Sequence, residues 1–232
     1  MSVAFVKKAH ATSDAGANSI TATFGSATAV GNTVTGFVSW FNSGGSTADL
    51  TSITDGTNTY SIVDTNGSTA EIFSASFVGK QTGSATAIVA HFSSTNPSFF
   101  RMFVQEYSGS SGTVNVHTKN RQASPGTATD AITTGAVTTT VNGCMIVGCA
   151  IDLTNTNTPN PGTSYTSRDT LFNAGDQDCQ IVEDQLQTSA GSIAATFTST
   201  VGNTSTYYNY LLALAPSGGA IAALASALNQ YQ

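Results

Sequence analysis

Charge is scarce in this chain. Of 232 residues, 7 are Lys or Arg and 13 are Asp or Glu, 9% in all, against about 25% in an ordinary soluble domain. With a net charge of −6, binding to nucleic acid through neutralised phosphates is excluded. Cysteine is scarce too. Cys144, Cys149 and Cys179 are the three present, so a disulfide scaffold is not indicated. Cys144 and Cys149 stand five apart in a strand-like run, and their side chains point to opposite faces. All three read as buried, reduced thiols, which fits synthesis in a reducing cytoplasm. Apolar runs are short. The longest, 220–228, has nine residues, far below the ~20 of a transmembrane helix, so no membrane partner is expected. The N-terminal MSVAFVKKAHATSDAG places its lysines after a brief apolar stretch at 3–6, the reverse of a secretory leader; no signal peptide is expected. The Ala, Glu, Lys and Leu runs of a coiled coil are missing. Disorder driven by charge is excluded by the 40% of hydrophobic residues.

What the chain has in abundance is small and uncharged: 37 Thr, 30 Ala, 28 Ser, 22 Gly and 16 Asn. Period-two runs of Val, Ile, Thr, Phe and Tyr recur between clusters of Gly, Asn, Asp and Ser. The runs are 3–7, 18–24, 33–41, 58–63, 70–78, 84–93, 98–107, 113–118, 134–141, 143–153, 180–186, 192–199 and 206–215. They predict an all-β fold, a two-sheet antiparallel β-sandwich of jelly-roll type with about a dozen strands. In 33–41 one face carries Val34, Val38 and Trp40 and the other Phe37 and Phe41, as in a strand buried on both sides. In 98–107, Phe99, Phe103 and Tyr107 oppose Phe100, Met102 and Val104. In 192–199, Ile193, Ala195 and Phe197 face in while Ser192, Thr196 and Thr198 face out. Asp55-Gly56 and Asn66-Gly67 suit tight turns. Asn142-Gly143 predicts a hairpin joining 134–141 to 143–153, and 157–162 predicts an exposed loop.

Residues 1–215 read as one β-sandwich, and within it a weak internal repeat begins at 33 and again at 142. DLTSI, GTNTYSIVDT, QTGS and EYSG in 33–109 parallel DLTNT, GTSYTSRDT, QTSAGS and APSG in 142–218. Two such copies, each too small to bury both faces alone, would pack as one sandwich with a shared core. Residues 216–232 form a linker followed by a short helix or arm. The last 48 residues, 185–232, carry no charge. Ile221, Leu224 and Leu228 make one helical stripe. So short a helix is marginal alone in water, and it docks on its own sandwich or on a neighbouring subunit.

The segments ITDGTNTY, TGSATAIVAHF, FVQEYSG, TTTVNGCMIVG, GTSYT, IVEDQL and YLLALA resemble a jelly-roll or lectin-like β-sandwich module. It is found in bacterial surface proteins and in bacteriophage virion proteins, whether decoration or tail-associated. The resemblance covers about residues 30–215 and implies a structural or adhesive role without shared catalytic residues. Bacterial members sit behind signal peptides in long chains, so the resemblance points to a virion protein made in the host cytoplasm.

Chemistry is sparse by sequence. There is no G-x-S-x-G elbow and no H-E-x-x-H helix. His10, His91 and His117 are far apart, and His91 reads as a hydrogen-bonded core or interface histidine. A glycosidase needs two facing acids. Glu183 and Asp184 are adjacent and point apart, and Glu106 has no acidic neighbour at i±2. We therefore expect no enzyme and no cofactor. Asp176, Asp178, Glu183 and Asp184 read as a solvated acidic region; were a cation such as Ca²⁺ bound, Asp176 and Asp178 would be its first ligands. Among aromatics, Trp40 reads as core, as do Tyr208 and Tyr210, which share a face with Leu212 and Leu214. Tyr207 is the candidate for stacking on a sugar.

The expected function is a capsid decoration or cement protein. Short hydroxylated side chains lose little rotamer entropy in a contact and demand little desolvation. The expected partners are further copies of the chain, in a symmetric homo-oligomer such as a trimer, and the major capsid protein. The alternative is a carbohydrate-binding adhesin or receptor-binding module of a phage tail or bacterial surface.

Overall fold

Alternating apolar and hydroxylated residues make strands here, and glycine-bearing polar clusters reverse the chain between them. The computed structural model describes residues 2–67, 72–123, 129–152, 159–173, 178–199 and 206–218. The predicted C-terminal helix lies outside these residues. The first half holds β1 (Ala4–Ser13), β2 (Ser19–Thr23), β3 (Thr33–Phe41), β4 (Leu50–Thr54), β5 (Thr59–Gly67), β6 (Ile72–Lys80), β7 (Ala87–Phe92) and β8 (Ser98–Ser108). The second holds β9 (Ser110–Ala123), β10 (Asp130–Thr133), β11 (Val137–Thr138), β12 (Cys144–Asp152), β13 (Asn160–Pro161), β14 (Thr166–Asn173), β15 (Asp178–Gln187), β16 (Ser192–Ile193), β17 (Thr196–Ser199) and β18 (Thr206–Pro216).

The first half is one sheet in the order β1-β8-β3-β6-β5-β4-β7-β2. It curls until β2 packs beside β1. The interleaving of β1, β8, β3 and β6 with β2, β7, β4 and β5 is jelly-roll topology. The second half repeats it. Its main sheet runs β9-β18-β12-β15-β14 and a smaller one runs β13-β17-β10, with the pair β11-β16 beside them. Strand for strand, β9 stands for β1, β18 for β8, β12 for β3, β15 for β6 and β14 for β5.

Segments of the sequence repeat fall on matching places. GTNTYSIVDT leads into β5 and GTSYTSRDT into β14, and QTGS and QTSAGS follow β6 and β15. DLTSI and DLTNT do not match, for Asp49 precedes β4 whereas Asp152 ends β12. The shared topology also reaches back before residue 33 to β1 and before 142 to β9.

The result is an all-β sandwich architecture, but with four layers in place of the expected two. One core, with Val38, Trp40, Ile53, Phe100 and Met102, fills the first jelly roll. Another, with Ile146, Ile181, Phe197 and Leu211, fills the second. A third joins them: Phe37, Phe103 and Tyr107 from the first half meet Val147, Tyr210 and Leu212 from the second. β3 and β12 are each walled by two cores, which is why both their faces are apolar. Cys144 and Cys149 accordingly enter different cores, and all three cysteines are buried and form no disulfide. Gly36 and Gly148 sit at matching points of these central strands. A Cβ on Gly36 would stand 2.2 Å from the Phe103 carbonyl oxygen, and one on Gly148 2.6 Å from Ala195 Cβ.

Several local expectations change. Asp55-Gly56 does turn β4 into β5, with Gly56 at φ +87° and Asp55 accepting from the amides of Thr57 and Asn58. Asn142-Gly143 does not make a hairpin. β12 is flanked by β15 and β18, so no edge is left for 134–141, whose Val137–Thr138 pairs with β16 instead. Within the 157–162 loop, Asn160–Pro161 is a short exposed strand on β17. The 192–199 run is two strands, not one, although Ala195 and Phe197 are buried and Thr196 and Thr198 exposed as expected. His91 is not core: it lies half-buried on β7, with Nε2 3.0 Å from Thr54 Oγ1.

The joining core makes a testable demand. Phe103→Ala removes a fully buried ring from it and is expected to lower the unfolding free energy by about 3–5 kcal/mol in urea titration. Thr198→Ala, on an exposed position, is expected to stay within about 0.5 kcal/mol of the parent.

Candidate functional site

Where the jelly rolls meet, an open cleft of about 350 Å³ is lined by Thr12, Ser13, Asp14, Arg101, Leu171 and Phe172. Three elements build it: the end of β1, the start of β8 and the end of β14. The start of β8 is irregular. Ser39 pairs with Arg101 and Phe41 with Ser98, so Phe99 and Phe100 together stand opposite Trp40. This is a β-bulge, and it holds Phe99 at φ +51°. For a bulky side chain that left-handed conformation costs of order 1–3 kcal/mol. The bulge lets Phe100 sink into the first core while Phe99 stays 41% exposed. Phe99 packs edge-on against Phe41 at 6.0 Å, and its amide donates to the Asp14 carbonyl.

Arg101, pointing the same way, is buried to 1% exposure. Its Nη1 lies 2.9 Å from Asp14 Oδ1 and donates to the Phe100 carbonyl at 2.8 Å. Asp14 itself is 53% exposed and Phe172 52%. Behind the cleft Gln180 donates to Ser39 Oγ at 2.7 Å, tying the two halves together. On the side that faces the junction stand Thr12 and the buried, paired Arg101, which neighbour each other across β1 and β8, with Asp14 exposed at the rim.

The remaining charged groups mostly fasten the fold. Asp184 accepts from Tyr107 Oη at 2.9 Å and from Arg168 Nε at 2.8 Å, and the Arg168 guanidinium lies over the Phe5 ring. Burial and this carboxylate push the Tyr107 hydroxyl well above its ordinary pKa. Asp169 receives Lys8 Nζ at 2.8 Å and His10 Nδ1 at 2.9 Å. In matching fashion Asp64 receives His117 Nδ1 at 2.7 Å, and Lys119 donates to the Thr65 carbonyl. Glu106 accepts from the Ala29 amide and the Asn32 side chain. Lys7, 3.3 Å from Glu106, donates to the Ser26 and Ala27 carbonyls. That pair pins the link between β2 and β3.

Glu183 lies apart from these ties. It is fully buried, accepts from the Gly162 amide at 2.8 Å, and leaves Oε1 without a hydrogen-bond partner. Burial pushes its carboxyl up to about 8, against the pull of the Gly162 and Thr196 amides. Glu183 pairs with Gly148 as Phe77 pairs with Gly36 in the first half; a carboxyl fills the place of a ring.

The residues singled out by sequence do not assemble at the cleft. Tyr207 is fully buried and donates to Asp130 at 2.8 Å, so its ring cannot stack on a sugar. The reason is that β18, like β12, is walled by two cores: Tyr207 enters one, and Tyr208 and Tyr210 the other. Trp40 is core, packed on Phe73 and Phe92. Asp178 opens β15 opposite Asn173, and Asp176 lies outside the described residues, as do Ile221, Leu224 and Leu228. Among the described residues no group of three or more His, Cys, Asp or Glu is placed to hold a metal ion. No helix among them is long and apolar enough to cross a membrane. The cleft residues had no common sequence signal, since they come from positions 12–14, 101 and 171–172. A charge at Arg101 inside an otherwise apolar run was the one visible irregularity.

Two outcomes test this electrostatic picture. Asp184→Ala strands the Arg168 guanidinium and the Tyr107 hydroxyl, and is expected to cost about 3 kcal/mol in urea titration. For Glu183, the folded chain keeps a proton between an ordinary carboxylate pKa of 4.5 and about 8, where the unfolded chain has lost it. Native stability therefore falls as pH rises through that window. Glu183→Gln removes this loss, so its melting temperature relative to the parent is expected to climb from pH 4.5 to pH 8 in calorimetry. In comparisons with known proteins, no family model, no curated protein and no solved structure matches this chain.

Proposed function

We propose that the chain is a non-enzymatic virion structural protein that decorates a bacteriophage capsid shell. The observation that carries this reading is the chemistry of the outermost sheets. Thr21 and Thr23 on β2, Thr51 on β4, Thr59 and Ser61 on β5, and Thr196 and Thr198 on β17 are all exposed. Charged groups are meanwhile drawn into internal ties. Outer faces of short hydroxylated side chains bind a flat neighbour at low cost in rotamer entropy and desolvation. Three cores hold these faces in fixed relation, which suits a cement between shell subunits. The partners in this reading are the major capsid protein and further copies of the chain in a closed symmetric oligomer such as a trimer.

A second reading, a carbohydrate-binding adhesin or receptor-binding module of a tail or bacterial surface, is favoured by the cleft beside Phe172. Quantitative mass spectrometry of purified particles separates the two. Decoration predicts hundreds of copies per particle, in fixed ratio to the capsid protein, and light scattering of the free protein is expected to show an oligomer. A few copies per particle favours a tail location, and absence from particles overturns both virion placements.

A further inference from the structure

We propose that Asn66-Gly67, at the end of β5, is a site of spontaneous modification at which Asn66 converts to aspartate and isoaspartate through a cyclic imide. The reaction joins the Gly67 amide nitrogen to Asn66 Cγ. Two Asn-Gly pairs occur in the sequence, Asn66-Gly67 and Asn142-Gly143. A glycine after asparagine leaves that nitrogen without a side chain to shield it, so sequence alone ranks the two alike. The structure separates them.

At Asn66 the reacting groups face each other. The Gly67 N–H points at the Asn66 side-chain carbonyl, with nitrogen and Oδ1 3.1 Å apart, so the nucleophile already lies against the carbonyl it attacks. The other end of the amide is held too: Nδ2, the leaving group, donates to the Asn120 carbonyl at 3.2 Å. A side chain fixed at both ends has already met much of the orientational cost of ring closure. Both residues keep part of their surface open to water, which the second step consumes. At Asn142 the same groups are committed elsewhere. Its Oδ1 accepts from the Ala190 amide at 2.8 Å, and the Gly143 N–H donates to the Gln187 carbonyl at 3.0 Å. Asn142 is the more exposed of the two asparagines, so accessibility by itself gives the opposite ranking.

In the first step the bond from Gly67 N to Cγ forms, the Cγ–Nδ2 bond breaks, and the amide proton leaves with Nδ2 as ammonia. Water then opens the imide. Addition at Cγ restores the ordinary backbone with aspartate at 66. Addition at the Asn66 backbone carbonyl carbon gives isoaspartate, which carries the chain through Cγ and lengthens it by one methylene. Attack requires loss of the Gly67 amide proton, so the rate rises with pH. Either product loses the donor that reaches Asn120 across the junction, and with it one tie between β5 and β9.

The test is incubation of the folded full chain in mildly alkaline buffer, with peptide mapping by mass spectrometry at intervals. The peptide carrying residue 66 is expected to gain the mass difference between an amide and an acid about tenfold or more faster than the peptide carrying residue 142. In concentrated urea, where the folded geometry is gone, the two rates are expected to be roughly equal. Asn66→Gln, whose longer side chain no longer closes a five-membered ring, is expected to abolish the gain in the first peptide. Asn66→Asp, a reference for one product, is expected to unfold at lower urea than the parent, as is the aged chain. Equal rates in the folded chain, faster conversion at 142, or a folded chain unchanged at 66 while the unfolded chain reacts each overturns the proposal. An Asn66→Asp midpoint equal to the parent's overturns the loss of the junction tie.

Discussion

The contact between the two jelly rolls governs everything else in this chain. Phe37, Phe103 and Tyr107 on one side and Val147, Tyr210 and Leu212 on the other exclude water from the centre of the molecule. Because that face is buried, β3 and β12 have no wet side, and any polar group caught there must find a partner across the junction. Three pairs do so, Ser74 with Tyr210 at 2.6 Å, Gln180 with Ser39, and Tyr107 with Asp184, whereas the side chain of Gln105, on the same face of β8 as Phe103 and Tyr107, is buried without a hydrogen-bond partner among the described residues. Apolar burial supplies the attraction, and these hydrogen bonds fix the register at which the halves meet.

The same junction explains the placement of charge and of the cleft. In each half the first strand lays a pair of basic side chains on the bulged fifth strand of the other, Lys8 and His10 on Asp169, His117 and Lys119 on Asp64 and Thr65. The arrangement is close to two-fold. It breaks at the strand ends. Counting by strand pairing, Arg101 stands where the second half has Tyr208, and Thr12 where it has Arg121. At that second place the Arg121 guanidinium covers the Tyr208 ring and Asn66 bridges to the Asn120 carbonyl. At the first, a small threonine faces an arginine, and the space between stays open. The cleft is the residue of an inexact symmetry.

How much of this could be read beforehand follows from what strands and sites require. Strands buried on both faces, such as 33–41 and 143–153, announce themselves through continuous apolar runs. Edge strands do not. β14 carries Arg168 and Asp169 in its middle, and β1 carries two lysines and a histidine, so the first has no strand signal and the signal of the second stops at residue 7. The Thr/Ser alternation at 192–199 gave the right inward face because burial has period two even where the strand is interrupted. The number of layers was beyond reach: a two-sided apolar strand reports that both faces are covered, not which part of the chain covers them. For that reason the burial of Tyr207 has no local signal. Its neighbours Tyr208 and Tyr210 pointed to one core, and nothing local disclosed a second core behind. The cleft depends on a bulge and on three distant strands, neither of which has a period to detect.

Glu183 shows what the paired architecture adds to such reasoning. A buried carboxyl in isolation invites a functional explanation, because desolvation is costly and natural chains tolerate it mainly where something is gained. Here the first jelly roll is an internal control. At the matching position Phe77 fills the same space beside the same close-packed glycine, in a half that folds by the same topology. The fold therefore has no need of a carboxyl at that point, and the amide that Glu183 satisfies, that of Gly162, belongs to the part of the second half that departs furthest from the first. There β4 is replaced by the two-residue β13, and the neighbouring sheet is short. A side chain that accepts hydrogen bonds from backbone left over by a shortened strand is doing the work of the missing ladder, so the placement of Glu183 is explained by backbone satisfaction, and its raised pKa is the consequence of that placement.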